Sequence, residues 1–180
     1  MKIENLEYID KDGNIERHGL NLSPLTGETI TTPSDQLRKS RALDVQWTEV
    51  SNFGKQQKIR LNKGNVSNAA LSDDRRFLLV SFDDKNWPFP WPIAVFNSDG
   101  SLRGKIKTPP VIKNESGQSV FSEGANGIGI TQKNNTSLIK PEKKRVLFVD
   151  CYYDFDRIAK VELIPENMQW GRVLKIGGRA

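Results

Sequence analysis

Along most of the chain the hydrophobic positions either alternate with polar ones or run together in short blocks, and a helical repeat of 3.6 is scarce. Leu43, Val45 and Trp47 alternate with Asp44, Gln46 and Thr48, the pattern of a strand with one buried face. Phe77-Leu78-Leu79-Val80-Ser81-Phe82, closed by Asp83-Asp84, and Val146-Leu147-Phe148-Val149 are continuous apolar blocks and predict central strands. Ile93-Ala94-Val95-Phe96 and the stretch from Leu102 to Ile106 flank Asn97-Ser98-Asp99-Gly100-Ser101, and Asp-Gly between apolar segments predicts a hairpin. Leu6 to Ile9 and Ile15 stand in the same way around Asp10-Lys11-Asp12-Gly13-Asn14. A third unit runs from Arg145, turns near Asp154-Phe155-Asp156 without a glycine, and returns through Ile158-Ala159-Lys160-Val161-Glu162-Leu163 to Ile164.

Helix signals are few. Ser34 is placed to cap a short helix through Arg41, and Glu166 to Trp170 can make one turn after Pro165. Breakers at Pro88, Pro90 and Pro92, at Pro109-Pro110, from Glu123 to Gly127 and at Asn134-Asn135 separate strands rather than domains. The expected fold is all-β, built of antiparallel sheets with little helix, in one domain over residues 1–180.

One stretch carries a family likeness. Ala70-Leu71-Ser72-Asp73-Asp74-Arg75-Arg76-Phe77-Leu78-Leu79-Val80-Ser81, followed by Ile93 to Leu102 with its Asp99-Gly100 turn, resembles a β-propeller blade over residues 70–104. It departs from the usual blade at Asp74-Arg75, where many blades carry Asp-Gly. Weaker echoes fall at 6–20 and 145–164. A closed propeller needs at least about four blades of roughly 40 residues. With three recognisable hairpins, the resemblance implies an incomplete propeller-like arrangement or a β-sandwich.

Composition narrows the class. With 36% hydrophobic and 27% charged residues, the chain of 180 residues is too apolar for a disordered tail and long enough to bury a core. The single cysteine, Cys151, cannot form an internal disulfide, which suits a reducing compartment, and the start MKIENLEYI lacks the apolar core of a signal peptide. No run approaches the roughly 18 apolar residues of a membrane span. A cytoplasmic protein that contacts no membrane is expected. The net charge of +5 is unevenly spread. Residues 1–34 hold three bases against six acids, whereas 35–63 hold seven bases (Arg38, Lys39, Arg41, Lys55, Lys58, Arg60 and Lys63) against three acids. A basic face of this kind attracts nucleic acid or another acidic surface.

Candidate chemistry is sparse. His18 is the only histidine, which removes zinc sites that need two, and it reads as a surface residue. Cys151, at the end of an apolar run and without a histidine near it in sequence, reads as a small core residue. Asp10-Lys11-Asp12-Gly13-Asn14 begins like a calcium loop, but its glycine comes fourth and Asn21 stands where the twelfth-position Glu belongs, so it reads as a turn. Asp150, Asp154 and Asp156 need no ligand to explain them at a turn. Gly124-Ala125-Asn126-Gly127-Ile128-Gly129-Ile130 lacks the lysine of a phosphate loop and reads as a tight turn followed by a strand. Neither a metal nor a cofactor is expected, and no catalytic constellation is present, so the chain reads as a protein other than an enzyme.

Aromatic residues supply the positive signal. Trp87-Pro88-Phe89-Pro90-Trp91-Pro92 places three large rings in a proline-stiffened extended loop, the kind of anchor that interfaces use. Adjacent Tyr152 and Tyr153 in a strand must face opposite ways, which predicts that one is exposed. With Arg38 and Arg41 at the start of the basic stretch, Trp87, Phe89, Trp91, Tyr152 and Tyr153 form the candidate partner-binding set. In general character the chain also resembles the immunity proteins of bacterial toxin and immunity pairs, including those of contact-dependent growth inhibition. That resemblance implies a tight complex with a cognate toxin domain whose active site it covers. The positive charge stands against mimicry of a nuclease substrate. The alternative is a nucleic-acid-binding β module that uses the stretch from Arg38 to Lys63, with Trp47 and Phe53 as stacking groups.

Overall fold

The computed structural model describes residues 1–17, 33–39, 42–83, 92–106, 111–113, 116–121, 124–134, 143–153 and 157–178. They are built almost wholly of strand: β1 (Lys2–Ile9), β2 (Ile15–Arg17), β3 (Asp44–Val50), β4 (Gln56–Arg60), β5 (Val66–Leu71), β6 (Phe77–Phe82), β7 (Ile93–Asn97), β8 (Leu102–Lys105), β9 (Val111–Lys113), β10 (Ser119–Phe121), β11 (Gly124–Asn134), β12 (Lys143–Tyr153), β13 (Arg157–Ile164) and β14 (Gln169–Gly178). One helical turn, α1 (Asp35–Arg38), is capped by the Ser34 hydroxyl, which accepts from the Leu37 amide. It is shorter than the span expected to Arg41. Every described strand pair is antiparallel.

The strands form three four-stranded sheets, ordered β2-β1-β3-β4, β5-β6-β7-β8 and β11-β12-β13-β14, with a small β9-β10 ribbon beside them. Two hydrophobic cores show how the sheets lie. Ile3, Tyr8, Val45 and Trp47 of the first sheet share one core with Leu71, Leu78, Val80, Phe82, Ala94 and Phe96 of the second. Phe77, Leu79, Ile93 and Val95 of the second sheet share the other with Ile128, Ile130, Leu147, Val149, Val161 and Leu163 of the third. The second sheet is therefore the middle layer, and alternate residues of β6 and β7 enter opposite cores. This is the physical reason that 77–80 and 93–96 read as apolar blocks rather than alternations. The blade-like stretch is this middle sheet, a four-strand meander. The arrangement is compatible with both expectations, blade-like or sandwich, and no sheet is closed into a barrel.

The three hairpins stand where they were read. Asn97 and Ser101 close the β7–β8 turn (Asn97 N to Ser101 O, 2.9 Å), with Gly100 at φ +83°. The β1–β2 turn uses Asp10 as its internal partner: its Oδ1 accepts from the amides of Asp12 and Asn14, and its Oδ2 from the Asn14 side chain. A carboxylate so occupied explains the acidic turn without calcium. β12 and β13 pair from Leu147↔Leu163 to Tyr153↔Arg157. Three details differ from expectation. The tight turn expected at the start of the 124–130 segment is already strand: β11 begins at Gly124 and runs on through the strand expected after it, where Gly129 makes room for the Phe148 ring, which would lie 2.7 Å from an added Cβ. Residues 165–168 form a turn and open into β14, instead of making a helical turn through Trp170. Asp44 and Gln46, expected on a solvent face, are buried.

The sheets are joined by polar clips as well as by cores. The Tyr8 hydroxyl accepts from the Ala69 amide of β5 (2.9 Å), and Trp47 Nε1 donates to the Ser98 carbonyl at the β7–β8 turn (2.6 Å). Between the second and third sheets, the Arg76 and Arg103 guanidinium groups lie 5.0 and 4.9 Å from the centre of the Phe77 ring. Arg76 also pairs with Asp74 (2.6 Å) and Glu166 (3.3 Å), and Arg103 Nε donates to the Pro165 carbonyl (2.6 Å).

Candidate binding surface

Among the described residues, the most exposed large apolar side chain stands at the tip of the β3–β4 hairpin. Ser51 organises it: its amide donates to the Lys55 carbonyl (2.9 Å), its carbonyl accepts from Gly54 N (2.9 Å), and its hydroxyl accepts from Lys55 N (3.0 Å). Gly54 completes the turn at φ +78°, a conformation that costs a residue bearing Cβ. This tight frame presents Phe53 at 99% exposure. Removing such a ring from water stabilises a complex by about 1.5–3 kcal/mol, and a stiff turn spares most of the ordering cost.

The surroundings of the ring are polar and cationic. Met1 is exposed, and its nitrogen lies 3.4 Å from Asn52 Oδ1 at the same tip. Lys2 pairs in register with Val50 at the base of the hairpin, and Lys55 and Lys58 are exposed along its second arm. From Lys55 to Lys63 the chain has four bases and no acid. Arg60 is tethered, its Nε 3.2 Å from Asp44 Oδ2, which also accepts from the Asn62 amide (2.9 Å).

The residues singled out from sequence fare differently. Trp87, Phe89 and Trp91 lie outside the described residues, as do Arg41 and His18. Arg38 is the last residue of α1, and its side chain is likewise outside what is described. Tyr152 is half-buried, on the face of the third sheet away from the core. Tyr153 is 1% exposed in the core between the second and third sheets, so it is not available to a partner. Trp47, offered as a stacking group, is also 1% exposed and is held by Ser98, which withdraws it from that role. Cys151 forms no disulfide and is fully buried in the core, as its place in an apolar run indicated. Asp150 is held by Lys160 at 3.0 Å, while Asp154 and Asp156 are outside the described residues. No group of three or more His, Cys, Asp or Glu able to hold a metal ion occurs among the described residues. No helix there is long and apolar enough to cross a membrane.

A groove of about 270 Å³ lies between the β5–β6 turn and strands β12 and β13, with Asp73, Asp74, Glu162 and Glu166 among its walls. Its carboxylates are engaged by the protein itself: Asp73 by Arg145 (3.2 Å), Asp74 and Glu166 by Arg76, and Glu162 by the Arg172 amide (3.3 Å). Burial pushes the Asp74 carboxyl up, but hydrogen bonds from the Ser72 hydroxyl and from Arg76 outweigh it and hold the group below its ordinary value. The groove therefore reads as a structural clip between sheets. No family model, curated protein or solved structure matches the chain.

Proposed function

We propose that the chain is a binding protein without chemistry of its own, an immunity-type inhibitor that neutralises a cognate toxin domain by covering its active surface. The observation that carries the reading is Phe53, fully exposed on a hydrogen-bonded hairpin tip and flanked by Lys55 and Lys58. Such a knob suits an apolar pocket rimmed by carboxylates on the partner. The positive charge counts against a nuclease partner, whose substrate-binding surface would itself be basic.

The test is growth rescue. The chain is expressed together with each reading frame that adjoins its gene and arrests growth when expressed alone; if no such frame exists, the reading fails. The wild-type protein restores growth, and Phe53→Ala and the Lys55→Glu/Lys58→Glu pair lose that protection while keeping the same melting temperature. Absence of rescue by the wild-type chain overturns the reading. The nucleic-acid alternative rests on the same cations but retains only Phe53 of its two stacking rings. A labelled single strand whose affinity falls by orders of magnitude between about 50 and 200 mM salt would favour it instead.

A further inference from the structure

β14 ends the order of the third sheet, and among the described residues no strand lies beyond it. Two irregularities in its pairing with β13, on either side of Val161, reset its side-chain alternation. Trp170, Val173 and Ile176 consequently stand opposite Leu163, Val161 and Ala159, all three core-facing. A spacing of three thus brings an aromatic and two aliphatic residues onto one side of an edge strand. Trp170 packs partly against the core, while Val173 and Ile176 remain 40% and 41% exposed. At the β13–β14 turn the sheet meets β8, whose Leu102 is 48% exposed and which is tied there by Arg103 and by the contact of Met168 with Gly104.

The charge of this edge selects what it can accept. β14 carries Arg172 and Lys175 and β8 carries Arg103 and Lys105, with no acidic residue on either strand. Pairing β14 with a second copy would set two arginines and two lysines in one short ladder, with no acidic residue on the strand itself to neutralise them. Cations on an edge deter self-association, and the same cations favour an incoming strand of opposite charge. We infer that β14 is a docking edge for an extended acidic segment of a partner protein, added as a fifth strand to the third sheet with its apolar residues against Val173 and Ile176. This goes beyond the hairpin reading and uses different residues.

The probe is an acetylated decapeptide alternating Val and Glu, with a Val and Lys peptide and a proline-interrupted Val and Glu peptide as controls. It is titrated into the full chain while amide hydrogen exchange and fluorescence anisotropy are followed. Binding of the Val and Glu peptide should slow exchange in 169–178, with no change in 44–60, and neither control should do so. Arg172→Glu/Lys175→Glu, checked for an unchanged melting temperature, should weaken binding at least tenfold and admit the Val and Lys peptide instead. If that pair unfolds the sheet, Lys175→Glu alone should show a partial loss in the same direction. Absence of slowed exchange in β14, protection of the β3–β4 hairpin instead, equal affinity in the charge-reversed chain, or β14 protection that rises with protein concentration alone would each overturn the inference. The last outcome would assign the edge to a second copy. The hairpin reading is untouched by any of these results, because it is scored by growth rescue.

Discussion

Arg75 shows how one residue can keep a turn's geometry while departing from its usual chemistry. It occupies the position where many propeller blades carry glycine, and its φ is +59°, the left-handed region that glycine enters freely. Its amide donates to the Ser72 carbonyl and its carbonyl accepts from Ile3 N, so the backbone alone does the joining. Arg75→Gly should therefore keep every one of these bonds and stabilise the protein by up to about 1 kcal/mol, read from chemical denaturation. Trp47 is the opposite case, a side chain that cannot be spared. Trp47→Ala removes a buried ring and orphans the Ser98 carbonyl, and should cost at least about 3–5 kcal/mol. Phe53→Ala should leave thermal melting unchanged within about 0.5 kcal/mol, because an exposed ring contributes little to folding. A large loss of stability would mean that the ring packs in solution and would remove the main support for the proposed binding surface.

At the scale of elements, the β5–β6 turn carries a pH dependence with a definite sign. Asp74 sits in the folded chain below its ordinary value of 3.8, so its contribution is fully present above that value and is lost as pH falls through the lowered folded value. Asp74→Asn should flatten the acid side of a melting-temperature profile below about pH 4 and lower the plateau above it. The hairpins were legible in sequence because their signals are local: Asp-Gly and Asp-x-Asp-Gly turns between apolar stretches need no knowledge of what packs on them. β14 was not. Its two pairing irregularities replace the period of two by a spacing of three, which removes the one pattern that marks a strand. Only the later part of β11 was legible, because the glycines at 124 and 127 read as a turn, while Gly129 is required by the Phe148 ring on the neighbouring strand. For the candidate surface, Ser51-Asn52-Phe53-Gly54 held the signal, an aromatic inside a turn sequence. Exposure is a property of what fails to pack on a residue, however, and that was not written in the alternation of 43–48.

Across the whole molecule, the middle sheet makes the two cores one thermodynamic unit. Leu78 and Leu79 are adjacent and both fully buried, yet they belong to different cores. Leu78→Ala and Leu79→Ala should each cost about 2–5 kcal/mol and lower a single unfolding transition by similar amounts. Two separated transitions in either variant would show that the outer sheets melt independently.

The order of the two cores has a consequence for how such a chain can change in length. Among the described residues no core joins the first sheet to the third. A ring of sheets is a sum of fixed angles, and inserting a member forces every other to turn; a stack has no such arithmetic. A further meander placed against an outer sheet would leave the two existing cores as they are, whereas removing either outer sheet would uncover one of them. Growth by an added layer is thus the tolerated change in this architecture, and loss of a layer is not.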